Sequence, residues 1–283
     1  MPLTLVPTPV GNLEDITLRA LRVLREADLV ACEDTRRTLR LLNHYGIRVP
    51  LVSSHEHNEK EKAPFLLRAL DEGKKVALVS DAGTPGISDP GAFLVGEAIK
   101  RGIHVEVLPG ATALIPALVL SGLPLHTFQF AGFLPPRKGD RQKRLRALSS
   151  LACTIVFYVS PHRLKEELAD CLLVLGKRPA ALARELSKVH EEVLRMDLEE
   201  LAGKADLPSR GEMVLVVGGF TETSDAVACE PCESWEAYAM EALREGGSVR
   251  DVVKTLHERY GISKNSAKAF LMKNVPGKEA PQR

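Results

Sequence analysis

Over the first 120 residues, short runs of aliphatic and β-branched residues alternate with longer stretches whose apolar positions recur at helical spacing. That alternation confines the chain to an α/β fold built on a largely parallel sheet, because parallel neighbours need a crossover and a helix is the usual one. The runs are Leu3 to Val6, Leu29 to Glu33, Val49 to Ser53, Lys75 to Ser80 and His104 to Leu108. Between them, Thr17 to Glu26, Thr35 to His44, Glu59 to Glu72 and Gly91 to Arg101 carry the helical pattern.

Leu120-Ser-Gly-Leu-Pro-Leu125 interrupts the series, and a second one follows. Its strands are expected at Phe128 to Gly132, Thr154 to Val159, Ala180 to Arg184 and Met213 to Val217, with helices between. The chain of 283 residues therefore divides into an α/β domain over 1–120, a second over 121–220 with the boundary near Gly122, and a linker with a basic helical tail over 221–283. The tail holds three short helical patterns, Ser234 to Arg244, Ser248 to Tyr260 and Ser263 to Lys273, each opened by a Ser suited to cap it. No internal repeat is present.

Ligands of open parallel sheets bind beyond the carboxyl ends of the strands. The first such end here reads Pro7-Thr-Pro-Val-Gly11-Asn12, and the fourth reads Ser80-Asp81-Ala-Gly83-Thr84-Pro-Gly-Ile87-Ser-Asp89-Pro-Gly91. In the latter, Asp89 reads as a helix N-cap and Pro90 as the first helical residue. The fifth end, Pro109-Gly-Ala111-Thr112-Ala113, offers only small side chains. One such loop is weak evidence, and the first taken alone reads better as a tight turn; three in succession indicate a pocket where an adenosine-sized ligand lies against the main chain. Neither G-x-G-x-x-G nor G-x-x-x-x-G-K-[ST] nor G-x-S-x-G occurs, which disfavours a dinucleotide site, a P-loop and an α/β-hydrolase elbow.

Two polar clusters follow the second and third strands: Glu33-Asp34-Thr-Arg36-Arg37, and Ser53-Ser-His55-Glu56-His57-Asn58-Glu59. His55-x-His57 could chelate a metal on a strand, yet no second ligand pair accompanies it, and Cys229-x-x-Cys232 likewise lacks partners, so no metal is expected. Cys32, Cys153 and Cys171 fall in apolar stretches and read as reduced core thiols. The formal net charge is +1, but Arg137, Lys138, Arg141, Lys143, Arg144 and Arg146 face only Asp140, and residues 241–283 hold nine basic against five acidic residues. Two basic surfaces on a neutral chain suggest contact with a phosphate backbone, solvated helix faces being the alternative. The N-terminus has no signal-peptide pattern and no apolar run is long enough for a membrane span, so a cytoplasmic protein is expected.

Several segments together resemble one family: Val6-Pro-Thr-Pro-Val-Gly-Asn-Leu-Glu-Asp-Ile-Thr17, Glu33-Asp-Thr-Arg36, His55-Glu-His-Asn-Glu59, Leu78-Val-Ser-Asp-Ala-Gly-Thr-Pro85, Phe157-Tyr158 with Pro161-His-Arg163, Ala183-Arg-Glu-Leu186 and Gly211-Glu-Met-Val-Leu215. They are similar to the tetrapyrrole methylase superfamily, and within it to the methyltransferases of small-subunit ribosomal RNA. The resemblance implies two α/β domains with S-adenosylmethionine in the cleft between them, a homodimer, and 2′-O-methylation of a cytidine in the decoding centre of 16S rRNA. It implies cofactor contacts at Pro9, Val10, Asp81, Gly83, Thr84, Ile87, Ala111, Thr112, Tyr158, Ala183 and Met213. Asp34, His55 and Glu56 stand as alternatives for the base that removes the hydroxyl proton. Arg36, Arg37, the patch that includes Arg137, Lys138 and Arg141, and the C-terminal helices are expected to hold RNA phosphates. Many relatives have Phe-Tyr-Glu-Ser where this chain has Phe157-Tyr-Val159-Ser160, so any role of that Glu is absent or filled elsewhere. A small-molecule tetrapyrrole methylase is the main alternative, and a non-catalytic RNA-binding module would leave the three loops unexplained.

Overall fold

The computed structural model describes residues 2–208, 210–221, 235–244, 248–260 and 263–274. Residues 1–221 form one compact unit and 222–283 a second.

In the first unit the chain runs β1 (Leu3–Leu5), α1 (Leu18–Glu26), β2 (Leu29–Cys32), α2 (Thr35–His44), β3 (Leu51–Ser53), α3 (Glu59–Asp71), β4 (Val76–Leu78), α4 (Ala92–Lys100) and β5 (Val105–Val107). These strands make one sheet in the order β3-β2-β4-β1-β5, every pairing parallel, as the alternation requires. Successive residues of a strand enter opposite faces. Leu29 and Ala31 pack with Leu66 and Leu70 of α3 and Leu94 of α4, while Val30 and Cys32 pack with Leu21 and Leu24 of α1 and Leu42 of α2. Burial on both faces explains why the strands read as continuous apolar runs. They are shorter than those runs, β4 covering Val76–Leu78 where Lys75 to Ser80 is expected; the flanking residues belong to the loops.

The second half comprises α5 (Leu114–Ser121), β6 (Phe128–Phe133), α6 (Lys138–Leu148), β7 (Thr154–Val159), α7 (Leu164–Leu175), β8 (Pro179–Arg184), β9 (Glu192–Asp197), α8 (Leu198–Gly203) and β10 (Met213–Val217). Its sheet runs β6-β7-β10-β8-β9, and only β6 and β7 are parallel. Strand β9 adds to the strands expected from sequence, while α8 is the helix expected between β8 and β10. β9 is an edge strand carrying Glu192, Arg195 and Asp197, and such charge is how edges resist mispairing; it also hides a strand from a search for apolar runs. Helix α5 precedes Gly122, which ends it in the left-handed region at φ 73°, yet Ala117 and Leu118 pack against Val156, Ala181 and Val216 of the second sheet.

The two sheets meet where the sequence motifs lie. A Cβ on Gly11 would stand 2.4 Å from the Leu186 carbonyl oxygen, so the β1 loop reaches the β8–β9 turn only because that position is glycine. The Asn12 N–H donates to Ser187 Oγ at 3.1 Å, and the Ser187 hydroxyl donates to Asp15. Glu185 and Ser187 both adopt positive φ, 51° and 66°, which fixes Leu186 between them.

The second unit contains α9 (Trp235–Arg244), α10 (Val249–Tyr260) and α11 (Lys264–Asn274), packed through Ala239, Val252, Leu256, Ala267 and Leu271. Ser248 and Ser263 cap as expected, their hydroxyls accepting the N–H of Asp251 and Ser266. Ser234, Cys229 and Cys232 lie outside the described residues. Among the described residues no helix is long and apolar enough to cross a membrane.

Candidate active site

Three loops converge at the carboxyl edge of the first sheet. Thr8, after β1, exchanges backbone hydrogen bonds with Gly83, after β4, both at 2.9 Å. The Thr8 hydroxyl donates to the Ser80 carbonyl at 3.1 Å, and the Thr84 hydroxyl donates to the Ala111 carbonyl at 2.9 Å, tying in the loop after β5. Gly83 has φ +84°, and its absent Cβ would face Ala111, Thr112 and Val10. Any side chain there would fill the junction of the three loops.

Beside this junction lies a cavity of about 490 Å³, bounded on the far side by the second sheet. Val10, Asp81, Gly83, Thr84, Ile87, Thr112, Tyr158 and Met213, all expected on the cofactor, line it. Three other expected contacts do not. Pro9 adjoins Val10 without reaching the wall, the Ala111 carbonyl is taken by Thr84, and Ala183 is buried in the face of β8 that packs with α5. Tyr158 meets Phe130 and Phe133 at ring separations of 5.0 and 5.5 Å, giving the wall an aromatic patch. Val159 is also in the wall.

Four carboxylates line the cavity, Glu33, Asp81, Asp89 and Glu212, with Arg37 as the cation among them. Asp81 accepts the Asp34 N–H at 3.0 Å and pairs with Arg37 at 3.4 Å. Burial, then the Asp81 charge, raises the Glu33 carboxyl, with Arg37 and His55 partly offsetting them. Burial, then the charges of Glu33 and Asp81, pushes Asp89 up to about 7. The sequence supplied only part of this set. Glu33 follows β2 directly and Glu212 precedes Met213, both at strand ends, so position was the available signal.

The expected bases lie apart from these groups. Asp34, His55 and Glu56 line a second hollow of about 470 Å³ with Thr35, Arg36, Ser53 and His57; Glu33 belongs to both. Asp34 caps α2 by accepting the Arg36 N–H at 2.8 Å and also pairs with the Arg36 guanidinium at 2.8 Å. Those bonds hold its carboxyl down to about 2, leaving it ionised and a weak proton acceptor at neutral pH. His55 Nδ1 is buried without a hydrogen-bond partner among the described residues. The His55 and His57 rings stand 6.0 Å apart, and among the described residues no group of three or more His, Cys, Asp or Glu is placed to hold a metal.

Of the expected RNA contacts, Arg36 lines the second hollow and Arg37 the first. Arg137 and Lys138 are exposed at the start of α6. Arg141 is not a surface cation. It is 2% exposed, pairs with Asp170 at 2.7 Å and donates to the Pro136 carbonyl at 3.0 Å. Its spacing from buried Leu145 and Leu148 places it on the inward stripe of α6, a periodicity that counting charges overlooks.

The family model for Tetrapyrrole (Corrin/Porphyrin) Methylases matches residues 2–202. The chain belongs to the tetrapyrrole methylase family. Within it, the chain is 51% identical over 234 residues to Ribosomal RNA small subunit methyltransferase I of Halalkalibacterium halodurans, across 82% of this chain and 79% of that one. The protein of the same name in Bacillus subtilis is 41% identical over 283 residues, covering 98% and 91%. Among solved structures, the family fold recurs in uroporphyrin-III C-methyl transferase of Thermus thermophilus complexed with S-adenyl homocysteine, at 26% identity and TM-score 0.56, covering 77% of this chain and 97% of that one. It recurs also in the methyltransferase CobJ at TM-score 0.60 and 22% identity, a likeness of fold alone.

Proposed function

We propose that this chain transfers a methyl group from S-adenosylmethionine to the 2′-hydroxyl of a cytidine in the decoding centre of 16S rRNA. The observation that carries the reading is the acidic, small-residue cavity at three hydrogen-bonded loops, in a chain 51% identical to an enzyme named for small-subunit rRNA. S-adenosylmethionine supplies a methyl already activated on a sulfonium. The residues present fit it: Val10, Gly83, Thr84, Ile87 and Thr112 offer main chain and small side chains to an adenosine, Tyr158 and Met213 offer apolar surface, and the carboxylates suit a cationic ligand. Ala111 supports these loops through its carbonyl, and Ala183 supports the second-sheet wall from within.

With the donor activated, the chain's task is alignment, holding an acceptor oxygen in line with the methyl carbon and sulfur. The second hollow, adjoining at Glu33 and lined by Arg36, His55 and Glu56, receives the acceptor nucleotide in this reading. Arg137 and Lys138, with exposed Lys143, Arg144 and Arg146, hold phosphates, as do exposed Arg250, Lys254 and Lys268 of the second unit. A homodimer is in keeping with α5, whose Ile115 and Val119 remain exposed. The reading places the protein in the cytoplasm, where its rRNA is. It divides residues 1–220 into two domains near Gly122, with α5 packed on the second.

The test uses purified protein, labelled S-adenosylmethionine and small ribosomal subunits from a strain lacking this modification. Label in 2′-O-methylcytidine by mass spectrometry is the expected result. Cofactor binding with label entering a tetrapyrrole and none entering RNA would overturn it.

A further inference from the structure

We infer that Glu33 is the general base that takes the proton of the acceptor hydroxyl. The inference rests on the reading of the site as a methyl transfer to ribose and names the residue at which donor and acceptor meet.

The first support is position. A base must come within about 2.6–3.2 Å of the hydroxyl oxygen, and that oxygen must face the methyl carbon, so the base belongs where the space for the acceptor adjoins the space for the donor. Asp34, His55 and Glu56 line the hollow but not the donor cavity, and Asp81, Asp89 and Glu212 line the cavity but not the hollow. Asp89, expected to cap α4, yields that task to Glu59, which accepts the Gly91 N–H at 3.0 Å, and stays in the wall of the donor cavity. Glu33 is the residue common to both linings. Its carboxyl responds to both spaces, to Asp81 and Arg37 from the cavity and to His55 from the hollow.

The second support is that the main chain of Glu33 is fixed while its carboxyl is free. Ahead of it, the Cys32 carbonyl accepts the Ser54 N–H at 2.7 Å, and the Glu33 carbonyl accepts the Ser53 hydroxyl at 3.3 Å. Behind it, the Asp34 N–H donates to Asp81 at 3.0 Å and the Asp34 carboxylate caps α2. The Glu33 carboxyl has no ion pair and no hydrogen bond among the described residues. The other carboxylates near the junction are engaged: Asp34 pairs with Arg36, Asp81 with Arg37 and Glu212 with Lys188. The charged and titratable groups around Glu33 are Asp34 and Arg37 at the start of α2, Asp81 and Asp89 on the loop after β4, and His55 after β3, with Glu56 and His57 in the same hollow. Burial and then the Asp81 charge outweigh Arg37 and His55 and raise the carboxyl, which strengthens it as a proton acceptor.

The step balances on this residue. As the acceptor oxygen forms its bond to the methyl carbon, the carbon–sulfur bond breaks and its electron pair stays on sulfur. The O–H bond breaks and its proton passes to the Glu33 carboxylate, later to leave to water. Glu33 loses its negative charge in the step in which the donor loses its positive one, so the junction undergoes no net change of charge.

The experiment compares wild type, Glu33→Gln, Glu33→Ala and Glu33→Asp, with small ribosomal subunits lacking the modification as substrate. In wild type the single-turnover rate is expected to rise with pH, since the carboxyl accepts a proton only when ionised. Glu33→Gln keeps the shape of the side chain and is expected to lower that rate by roughly 10²- to 10⁴-fold and to remove the rise, with affinity for S-adenosylmethionine by calorimetry and for subunits by filter binding retained. Glu33→Ala is expected to regain part of the lost rate in added formate, a carboxylate small enough for the vacated space, a recovery that a merely structural role would not give. Should those two variants fail to fold, Glu33→Asp, which keeps the carboxylate but shortens its reach by one methylene, is expected to retain the rise with pH at a reduced rate. A wild-type rate and pH profile in Glu33→Gln would overturn the proposal, as would a wild-type rate that is flat with pH whether or not any variant folds. Loss of S-adenosylmethionine binding in Glu33→Gln would overturn it in favour of a role in holding the donor. A wild type that transfers no methyl group to ribose would overturn the proposed function and this inference together, whereas ribose methylation at full rate in Glu33→Gln would overturn the inference alone.

Discussion

Replacing Glu59 by Ala tests whether α3 holds the β4–α4 loop in place. The side chain is 9% exposed and receives two N–H groups from the first turn of α4, a helix that has no cap of its own. Hydrogen bonds to a charged acceptor contribute about 1.5–3 kcal/mol each, but at this partly accessible edge water can satisfy some of what is lost, so we take about 3 kcal/mol for the pair. In a unit of this size that corresponds to a fall in Tm of roughly 6–12 °C. Glu59→Gln keeps an oxygen for both donors and gives up only the charge near a helix N-terminus, which costs about 1 kcal/mol. Urea denaturation followed by far-UV circular dichroism, read on all three proteins, measures both steps. An Ala variant within about 0.5 kcal/mol of wild type would refute the reasoning, since surface substitutions away from any such feature fall in that range. Equal losses for Ala and Gln would show that charge, and not hydrogen-bond acceptance, is what α4 requires.

Gly11→Ala places a methyl group 2.4 Å from the Leu186 carbonyl and 2.5 Å from Lys188 Cγ; it should cost about 1–3 kcal/mol in thermal denaturation and weaken S-adenosylmethionine binding in calorimetry. Arg141→Ala leaves Asp170 buried without its cation and should destabilise by about 3–5 kcal/mol in urea, with the salt dependence of RNA binding unchanged. The double variant Arg137→Ala/Lys138→Ala should do the reverse, leaving stability nearly constant and reducing the slope of log affinity against log salt by about 0.7 for each phosphate no longer neutralised. Asp89→Asn should stabilise the free protein at alkaline pH. With Asp89 raised from 3.8 to about 7, the folded state holds a proton that the unfolded state releases between those values, so wild-type stability falls as pH rises through that window. The variant escapes the fall; its advantage should be absent below pH 4 and level off above 7 at about 1–2 kcal/mol after solvent screening of a half-buried group. Denaturant titrations at pH 4 and pH 8 measure it.

What could be read from sequence divides along the range of the interactions that decide it. The parallel sheet was legible because its strands are buried on both faces and its helices follow at the required spacing. The loops around the cavity were legible because the glycines and prolines that shape them are written locally, whereas Glu33 and Glu212 in its wall are not marked by any such pattern. Edge strand β9 was obscured by the charges that protect an edge, and the antiparallel order of the second sheet was not expressed in local periodicity at all.

The two errors of role, at Arg141 and Asp89, share a cause. Each residue was judged by its neighbours in sequence, Arg141 by the surrounding cations and Asp89 by the proline after it. Arg141 is instead claimed by Asp170 of α7, while Asp89 is released by Glu59, whose bond to Gly91 spans 32 residues. A side chain with two possible local uses takes whichever one the tertiary structure leaves open. At Asp89 the supply of a distant cap leaves a helix-starting residue in the wall of the cavity, with no ion pair among the described residues. The same reasoning predicts that the two sites are coupled. Glu59→Ala leaves the N–H groups of α4 without their acceptor, and Asp89 is the nearest carboxylate in sequence that can turn toward them. The neutral-range titration of Asp89 should then move to lower pH, because a carboxylate that accepts N–H groups at a helix N-terminus is stabilised in its charged form. Carboxyl ¹³C NMR of Glu59→Ala measures that displacement, and an unmoved Asp89 signal in a folded variant would show that the loop holds its shape without the cap.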